Sequence, residues 1–295
     1  MKKDMIILKI GGSGLTSSAD VKSAIARIRE IQPYIIVVSA LKGITNLLSE
    51  LALSMTESNL RKIAKLVDAI KVQHVSLCKE LGIPSDEIIL IFENAIVSSQ
   101  TYIDERHVYA TLVSAGELMS SKILYLYMKK NNINYDTGVA YSFVDIRDYM
   151  ITSIGTKEHS LDKKQTFKNI KDLQNCNFPF ITQGFISSDI EGHPTTLGRE
   201  GSDFSAVILA VVFQNKNVSS KVIFLKDVDG VIIGGNVVKG MSYSELRKVV
   251  QGQENAALIH LPAIKMAEKH ETPLILCNIN NRFYCSNSTK ITKRP

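Results

Sequence analysis

The stretch TTLGREGSDFSAVILA, positions 195–210, joins a polar, glycine-punctuated turn to an apolar run. It sets one cation, Arg199, four residues before one carboxylate, Asp203, with the hydroxyl of Ser202 beside it and glycines at 198 and 201. A guanidinium is a planar fork of donors that matches a carboxylate in two-point fashion. Such a group at the mouth of a buried helix asks for a small polar guest. A second stretch, KIGGSG at 9–14, puts Lys9 on a strand and Gly11, Gly12, Ser13 and Gly14 in the turn after it. Glycines let backbone N–H groups approach an anion, a following helix N-terminus adds a favourable dipole, and lysine adds a point charge. Phosphate is the natural guest, although the spacing is neither GxxxxGK[ST] nor GxGxxG and the same turn serves equally as a plain connection.

Three further segments carry polar groups where apolar ones would be cheaper. VVSALKGITN ends a strand with Ser39, Thr45 and Asn46, where open α/β sheets bind ligands; helix capping is the competing role for Thr45 and Asn46. SAGELMSSKILYLY buries Ser114 and Glu117 in an otherwise apolar helix, which is costly unless the charge has a partner or a ligand; a surface-facing Glu117 is the alternative. VIFLKDVDGVIIGG closes another strand with Lys226, Asp227 and Asp229.

The elements that must position these groups alternate. MIILKI (5–10) and YIIVVSA (34–40) are short β-branched runs bracketing SSADVKSAIARIREI, which has helical spacing, and together they make a βαβ unit. Buried-strand runs recur at FPFITQ, SKVIFLKD and TPLILCNI, separated by helical segments at GSDFSAVILAVVFQ and AALIHLPAIKMAEKH; ITQGFISSDIEGHPTTLGREGSD reads as a strand, a hairpin and then the opening stretch. This alternation predicts an α/β fold with a mostly parallel sheet and helices on both faces. Residues from about 44 to 130 read as a helical insertion, with Leu60, Ile63, Val67 and Ile70 as its core-facing stripe. There is no linker-like composition and no internal repeat, so one domain over 1–295 is the simplest organisation.

Composition excludes several classes. Hydrophobic residues at 45% and charged residues at 22% are those of a folded globular chain, not a disordered or fibrous one. No apolar run reaches about eighteen residues and the N-terminus does not read as a signal peptide, so a cytoplasmic protein without membrane partners is expected. Cys78, Cys176, Cys277 and Cys285 show no CxxC pair or His-rich neighbourhood, so packing is their expected role, with neither a disulfide framework nor a zinc site indicated. The net charge of +6 is spread thinly apart from the tail TKITKRP, which argues against a nucleic-acid partner and suits anionic substrates.

KIGGSG, VVSALKGITN, SAGELMSSKIL, TQGFISSDIEGHPTTLGREGSDFSAVILA and DVDGV, in that order, resemble the amino acid kinase family, specifically the catalytic domain of aspartate kinases, from Met5 to about Asn281. The resemblance implies a three-layer sandwich and phosphorylation of the β-carboxylate of L-aspartate by ATP with Mg²⁺, giving 4-phospho-L-aspartate, the first step towards lysine, threonine and methionine. It assigns Arg199 to the substrate's carboxylate and Ser202 and Asp203 to its other polar groups, with Ser39, Thr45 and Glu117 at further substrate positions. Lys9, Gly11, Gly12 and Ser13 hold the phosphates in flight, Asp227 and Asp229 lie on the nucleotide side, and Lys9 and Asp203 form the catalytic pair. A homodimer without regulatory ACT domains is expected.

The departures from the family's pattern lie mostly on the nucleotide side. KIGGSG stands where aspartate kinases usually read KFGGTS, Ile232 replaces the tyrosine after DVDGV, and the following GGNVV lacks the Asp-Pro. AALIHLPA stands for AKVLHPRT, so Ala257 occupies the place of a phosphate-contacting lysine while His260 is retained. Lys226 is the candidate substitute charge if it points into the nucleotide cleft. Two other readings share these motifs: a kinase of the same family acting on another small amino or carboxylic acid, and a catalytically weak homologue that binds ligands to regulate a partner.

Overall fold

The computed structural model describes residues 3–136, 138–153, 160–173, 178–198, 201–252, 258–280 and 288–294. Along the chain run β1 (Lys3–Ile10), α1 (Ser18–Ile31), β2 (Ile35–Val38), α2 (Ile44–Thr56), α3 (Leu60–Leu81), α4 (Asp86–Ser99), α5 (Glu105–Lys130), β3 (Ser142–Phe143), β4 (Thr152–Ser153), β5 (Ser160–Leu161) and α6 (Lys163–Leu173). There follow β6 (Phe180–Gln183), β7 (Ile186–Ser188), β8 (Pro194–Thr196), α7 (Gly201–Phe213), β9 (Val218–Lys226), β10 (Ile232–Ile233), β11 (Asn236–Val237), β12 (Gly240–Ser242), α8 (Tyr243–Gly252), α9 (Leu261–His270), β13 (Leu274–Asn278) and β14 (Ser288–Thr292).

Eight strands form one sheet in the order β12-β14-β13-β9-β1-β2-β6-β3, parallel throughout except between β13 and β14. All four residues of β2, Ile-Ile-Val-Val, are buried. Because successive side chains of a strand point to opposite faces, both faces must be covered. α7 packs on β1, β2 and β9, while α5 packs on β2 and β6. The sequence of α7 is apolar on every side beyond its first turn, and Ser205 to Phe213 are all buried, as expected of a helix at the centre of a core. The strand order reverses at β1, whose neighbours β2 and β9 lie on opposite sides; ligands of open α/β sheets bind at the carboxyl ends of the strands beside such a switch point. Among the described residues no helix is long and apolar enough to cross a membrane.

Three sequence expectations need correction. In α3, Leu60 is 78% exposed, and the buried stripe runs instead through Leu66, Ile70, His74, Leu77 and Leu81. The helical period is right: Leu60, next to the Asn59 cap, faces outward, while Ile63 and Val67 are half-buried against the core. Within AALIHLPAIKMAEKH, of which 258–270 are described, the helix starts at Leu261, with Pro262 in its first turn and His260 extended. Cys277 is disulfide-bonded, with its partner outside the described residues, and Cys78 is a buried free thiol. The fold, not local Cys spacing, decides which thiols meet.

His74 is fully buried in α3; its Nδ1 donates to the Ile70 carbonyl at 2.8 Å and its Nε2 has no partner. Burial pulls its pKa down from 6.5 to about 4, against the opposing hydrogen bond. A depressed folded pKa contributes stability that is complete above the unfolded value and disappears as pH falls through the folded one. Denaturant unfolding should therefore lose on the order of 3 kcal/mol between neutrality and about pH 4, and His74→Leu should flatten that slope. An unchanged slope in the variant would assign the acid sensitivity elsewhere.

Candidate active site

The carboxyl ends of β1, β2 and β9 open into a cleft of about 710 Å³. At its floor Asp203, in the first turn of α7, is only 2% exposed. Lys9 Nζ lies 3.0 Å from its Oδ1, and Lys226 Nζ 2.9 Å from its Oδ2. The sheet register explains this meeting. Lys9 pairs with Phe224 across β1 and β9, and Lys226, two residues on, points to the same face. The backbone N–H of His260 also approaches Oδ2, at 3.4 Å. Burial alone would raise the carboxyl's pKa, but the two ammonium groups more than offset it and hold Asp203 at about 2. Asp203 is therefore ionised at any physiological pH, with an ammonium group on each oxygen.

The glycine turn brings the chain against the end of β2. A methyl on Gly12 would lie 2.4 Å from the Ala40 carbonyl oxygen, so only glycine fits there without moving backbone. The turn does not run directly into α1: a 3-10 turn spans Gly12–Leu15, and Ser17 with Asp20 closes α1 in a capping box. The first amides of α1 thus have partners away from the cleft, the Ser17 hydroxyl for Asp20 and the Glu80 carboxylate for Ser18. Two other helices bring their N-termini to the cleft. Residues in the first turns of α2 (Thr45, Asn46) and α7 (Gly201, Ser202) line the cleft, and α2 begins at Gly43 with no side-chain cap. Thr45 and Asn46 therefore face the cleft and do not cap. An N-terminus without a side-chain acceptor attracts anions.

Glu117 forms the opposite wall. It is 3% exposed on α5; Oε1 accepts from the Ala40 N–H at 3.4 Å and Oε2 is buried with no partner. Burial pushes its pKa up to about 8, with Lys9 pulling weakly the other way. Ser114, by contrast, is satisfied by its own helix through the Ala110 carbonyl. One turn from Glu117, Ser120 donates to the Ser39 carbonyl at 2.7 Å, so α5 fixes the loop that leaves β2.

Lys9, Gly11, Gly12, Ser13, Ser39, Thr45, Glu117, Ser202, Asp203, Lys226 and Asp227 thus share one cleft. Asp229 does not line it: its Oδ1 accepts from Asn278 Nδ2 at 2.8 Å, tying the turn after β9 to the end of β13. Arg199 and Ala257 lie outside the described residues, and Ile232 is exposed on the two-residue β10–β11 hairpin. Sequence reasoning missed Ser49, Tyr109 and Phe185 in the lining. Ser49 follows Thr45 by one helical turn and Tyr109 precedes Glu117 by about two, spacings that would have found both. Phe185 had no such signal; it adopts φ +70, a region that bulky side chains avoid, and is held there by the Ser205 hydroxyl and the Leu197 N–H.

The sequence pattern described as the amino acid kinase family matches residues 4–278. Lysine-sensitive aspartokinase 3 of Escherichia coli K12 is 30% identical over 248 residues, covering 77% of this chain and 50% of that protein. An aspartokinase of Chlamydia muridarum is 28% identical over 215 residues, covering 70% of this chain and 45% of its own length. The chain thus spans about half the length of these relatives. The crystal structure of E. coli aspartokinase III in complex with aspartate and ADP superposes with a TM-score of 0.84 at 23% identity, over 99% of this chain and 65% of that one, a likeness of fold.

Glu117 links the site to stability. Its folded pKa, about 8, exceeds the ordinary 4.5. The stability it contributes is therefore complete below the lower value and lost as pH rises through the higher one. Glu117→Gln should unfold with wild-type stability near pH 4 but exceed the ligand-free wild type by a few kcal/mol near pH 8. Parallel stability curves over that range would show that the carboxyl is not held protonated.

Proposed function

The chain belongs to the amino acid kinase family, and from that premise we propose that it transfers the γ-phosphoryl group of ATP to the side-chain carboxylate of L-aspartate, giving 4-phospho-L-aspartate. The observation that carries the reading is the buried Asp203 held between Lys9 and Lys226 at the cleft floor. The aspartokinases of E. coli and Chlamydia point to the same acceptor, and the structural neighbour was solved with aspartate and ADP bound.

The chemistry needs charge more than proton transfer. An acceptor carboxylate has an ordinary pKa near 4 and is already ionised, so no general base is required. Asp203, with its pKa near 2, does not take up a proton at neutral pH. Its role is to hold two ammonium groups at fixed positions where negative charge shifts between phosphate and acceptor. Gly11, Gly12 and Ser13 receive the phosphates beside Lys9, and the α2 and α7 N-termini add dipoles. The unpartnered Glu117 Oε2 accepts from the substrate ammonium, with Ser39, Thr45 and Ser202 around it. Arg199 clasps the other carboxylate, as the family resemblance assigns. Lys226, 12% exposed and paired, fits the substitute charge for the missing lysine at 257 better than it fits a solvated strand end.

Among the described residues the cleft contains no cage of carboxylates for Mg²⁺. Glu117 lies in an apolar wall and Asp203 is committed to the lysines, which leaves Asp227 as the cleft carboxylate suited to a nucleotide-borne ion. That ion would neutralise phosphate charge. Asp229 acts on the nucleotide side by bracing the turn that carries Asp227. One domain over residues 1–295, in a cytoplasmic homodimer, is part of the same proposal.

The test is a hydroxamate assay, which traps an acyl phosphate, run with ATP over a panel of carboxylic amino acids. Aspartate should give the product. Product from another acid alone would move the substrate assignment, and product from none would remove the kinase reading. Lys226→Ala should lose about a hundredfold in kcat with a smaller change in the aspartate KM. Wild-type turnover in that variant would return Lys226 to a purely structural role.

A further inference from the structure

Outside the cleft, three side chains converge with no part in the proposed phosphoryl transfer. His107 lies near the start of α5, while Asp189 and His193 flank the turn between β7 and β8. One ligand atom from each lies within 4.8 Å of the others. Asp189 Oδ2 is 3.4 Å from His107 Nε2 and 3.3 Å from His193 Nδ1. Ligand atoms at the corners of a tetrahedron around zinc, with bonds of about 2.0–2.1 Å, stand roughly 3.3 Å apart. We propose that His107, Asp189 and His193 bind one divalent transition-metal ion of the zinc class, stapling the start of α5 to the β7–β8 hairpin.

The surroundings fit a built site. His107 is 8% exposed and Asp189 5%. His107 Nε2 is buried without a hydrogen-bond partner, a cost that a metal ion removes. The other oxygen of Asp189 accepts from the backbone N–H groups of Glu191 and His193, both at 2.9 Å. These bonds fix the carboxylate and leave Oδ2 aimed at the two rings, the outer support that metal ligands usually have. Tyr102 packs on both imidazoles, with ring centroids 5.3 and 5.6 Å away. His193 has a side chain 36% exposed, which gives an ion a way in. Glu191 Oε2, 3.5 Å from His193 Nδ1, or a water completes a fourth position.

Two imidazoles and one carboxylate suit zinc, cobalt or nickel, whereas magnesium and calcium prefer oxygen alone. The staple would bear on the cleft through both partners. α5 carries Glu117 ten residues after His107, about 15 Å along the helix. β8 ends at Thr196, which lines the cleft and leads into the opening of α7.

The full chain, stripped of metal with a chelator, should bind one equivalent of Zn²⁺ in a calorimetric titration, gain thermal stability with it, and give with Co²⁺ the visible absorption of a tetrahedral complex. His193→Ala, at the half-exposed corner, and Asp189→Asn should each weaken zinc binding by at least about tenfold, as loss of a ligand requires, with excess Mg²⁺ not competing. Absence of saturable Zn²⁺ binding by the wild type, or binding unchanged in both variants, overturns the proposal. Circular dichroism of the metal-free variants separates a lost ligand from a lost fold, and a folded His193→Ala protein with wild-type zinc affinity counts against the site.

Discussion

A carboxylate buried to 2% and set between two lysines from neighbouring strands is the interaction on which the site depends. Removing three charges from water costs several kcal/mol each, and their mutual attraction returns this only when the geometry is good. The parallel register of β1 and β9 provides that geometry, because it sends Lys9 and Lys226 to the same face, where the first turn of α7 presents Asp203. The cluster sets two ammonium groups against one carboxylate and so presents positive charge at the cleft floor. An anion arriving in the cleft meets that charge without further rearrangement of the lysines.

Glu117 stands in the opposite condition. Asp203 is over-partnered and strongly ionised, while Glu117 is under-partnered and pushed towards its neutral form, although both are fully enclosed. Two carboxylates in one cleft therefore hold different protonation states because one has ammonium neighbours and the other has an apolar helix wall. The unsatisfied Oε2 lowers the stability of the free protein and would be relieved by a cationic group of the substrate. Phe185, held in a left-handed conformation at the rim, is a second local cost at the same place. Such costs persist only where the surrounding packing over-determines the backbone, which the Ser205 and Leu197 contacts do here.

The fold concentrates these groups by a general device. Parallel strands end together, so the residue after each apolar run reaches the same edge, and the reversal of strand order at β1 leaves a gap there. α7, apolar on nearly all sides, is anchored in the core and so presents its first turn rigidly. α5 reaches from the proposed metal staple to Glu117 and ties the loop after β2 through Ser120. The site is therefore supported from both faces of the sheet.

Much of this was legible in the amino-acid sequence. The alternation of β-branched runs with 3.6-residue periodicity determined a mostly parallel sheet, and polar residues at the ends of those runs marked Lys9, Ser39, Lys226 and Asp203 as groups that meet. A buried Glu117 also followed from its apolar neighbours. Sequence alone left undecided which partner each charge would take, because ion pairing across 23 residues and the +70 φ of Phe185 are set by register and packing, not by local pattern. It did not show that a 3-10 turn and the Ser17–Asp20 capping box separate the glycine turn from α1, or that Asp229 takes Asn278 as its partner. The meeting of His107 with Asp189 and His193 was invisible for the same reason: ligands more than eighty residues apart are neighbours only because a hairpin packs on the start of a helix, and that contact exists only in the tertiary structure.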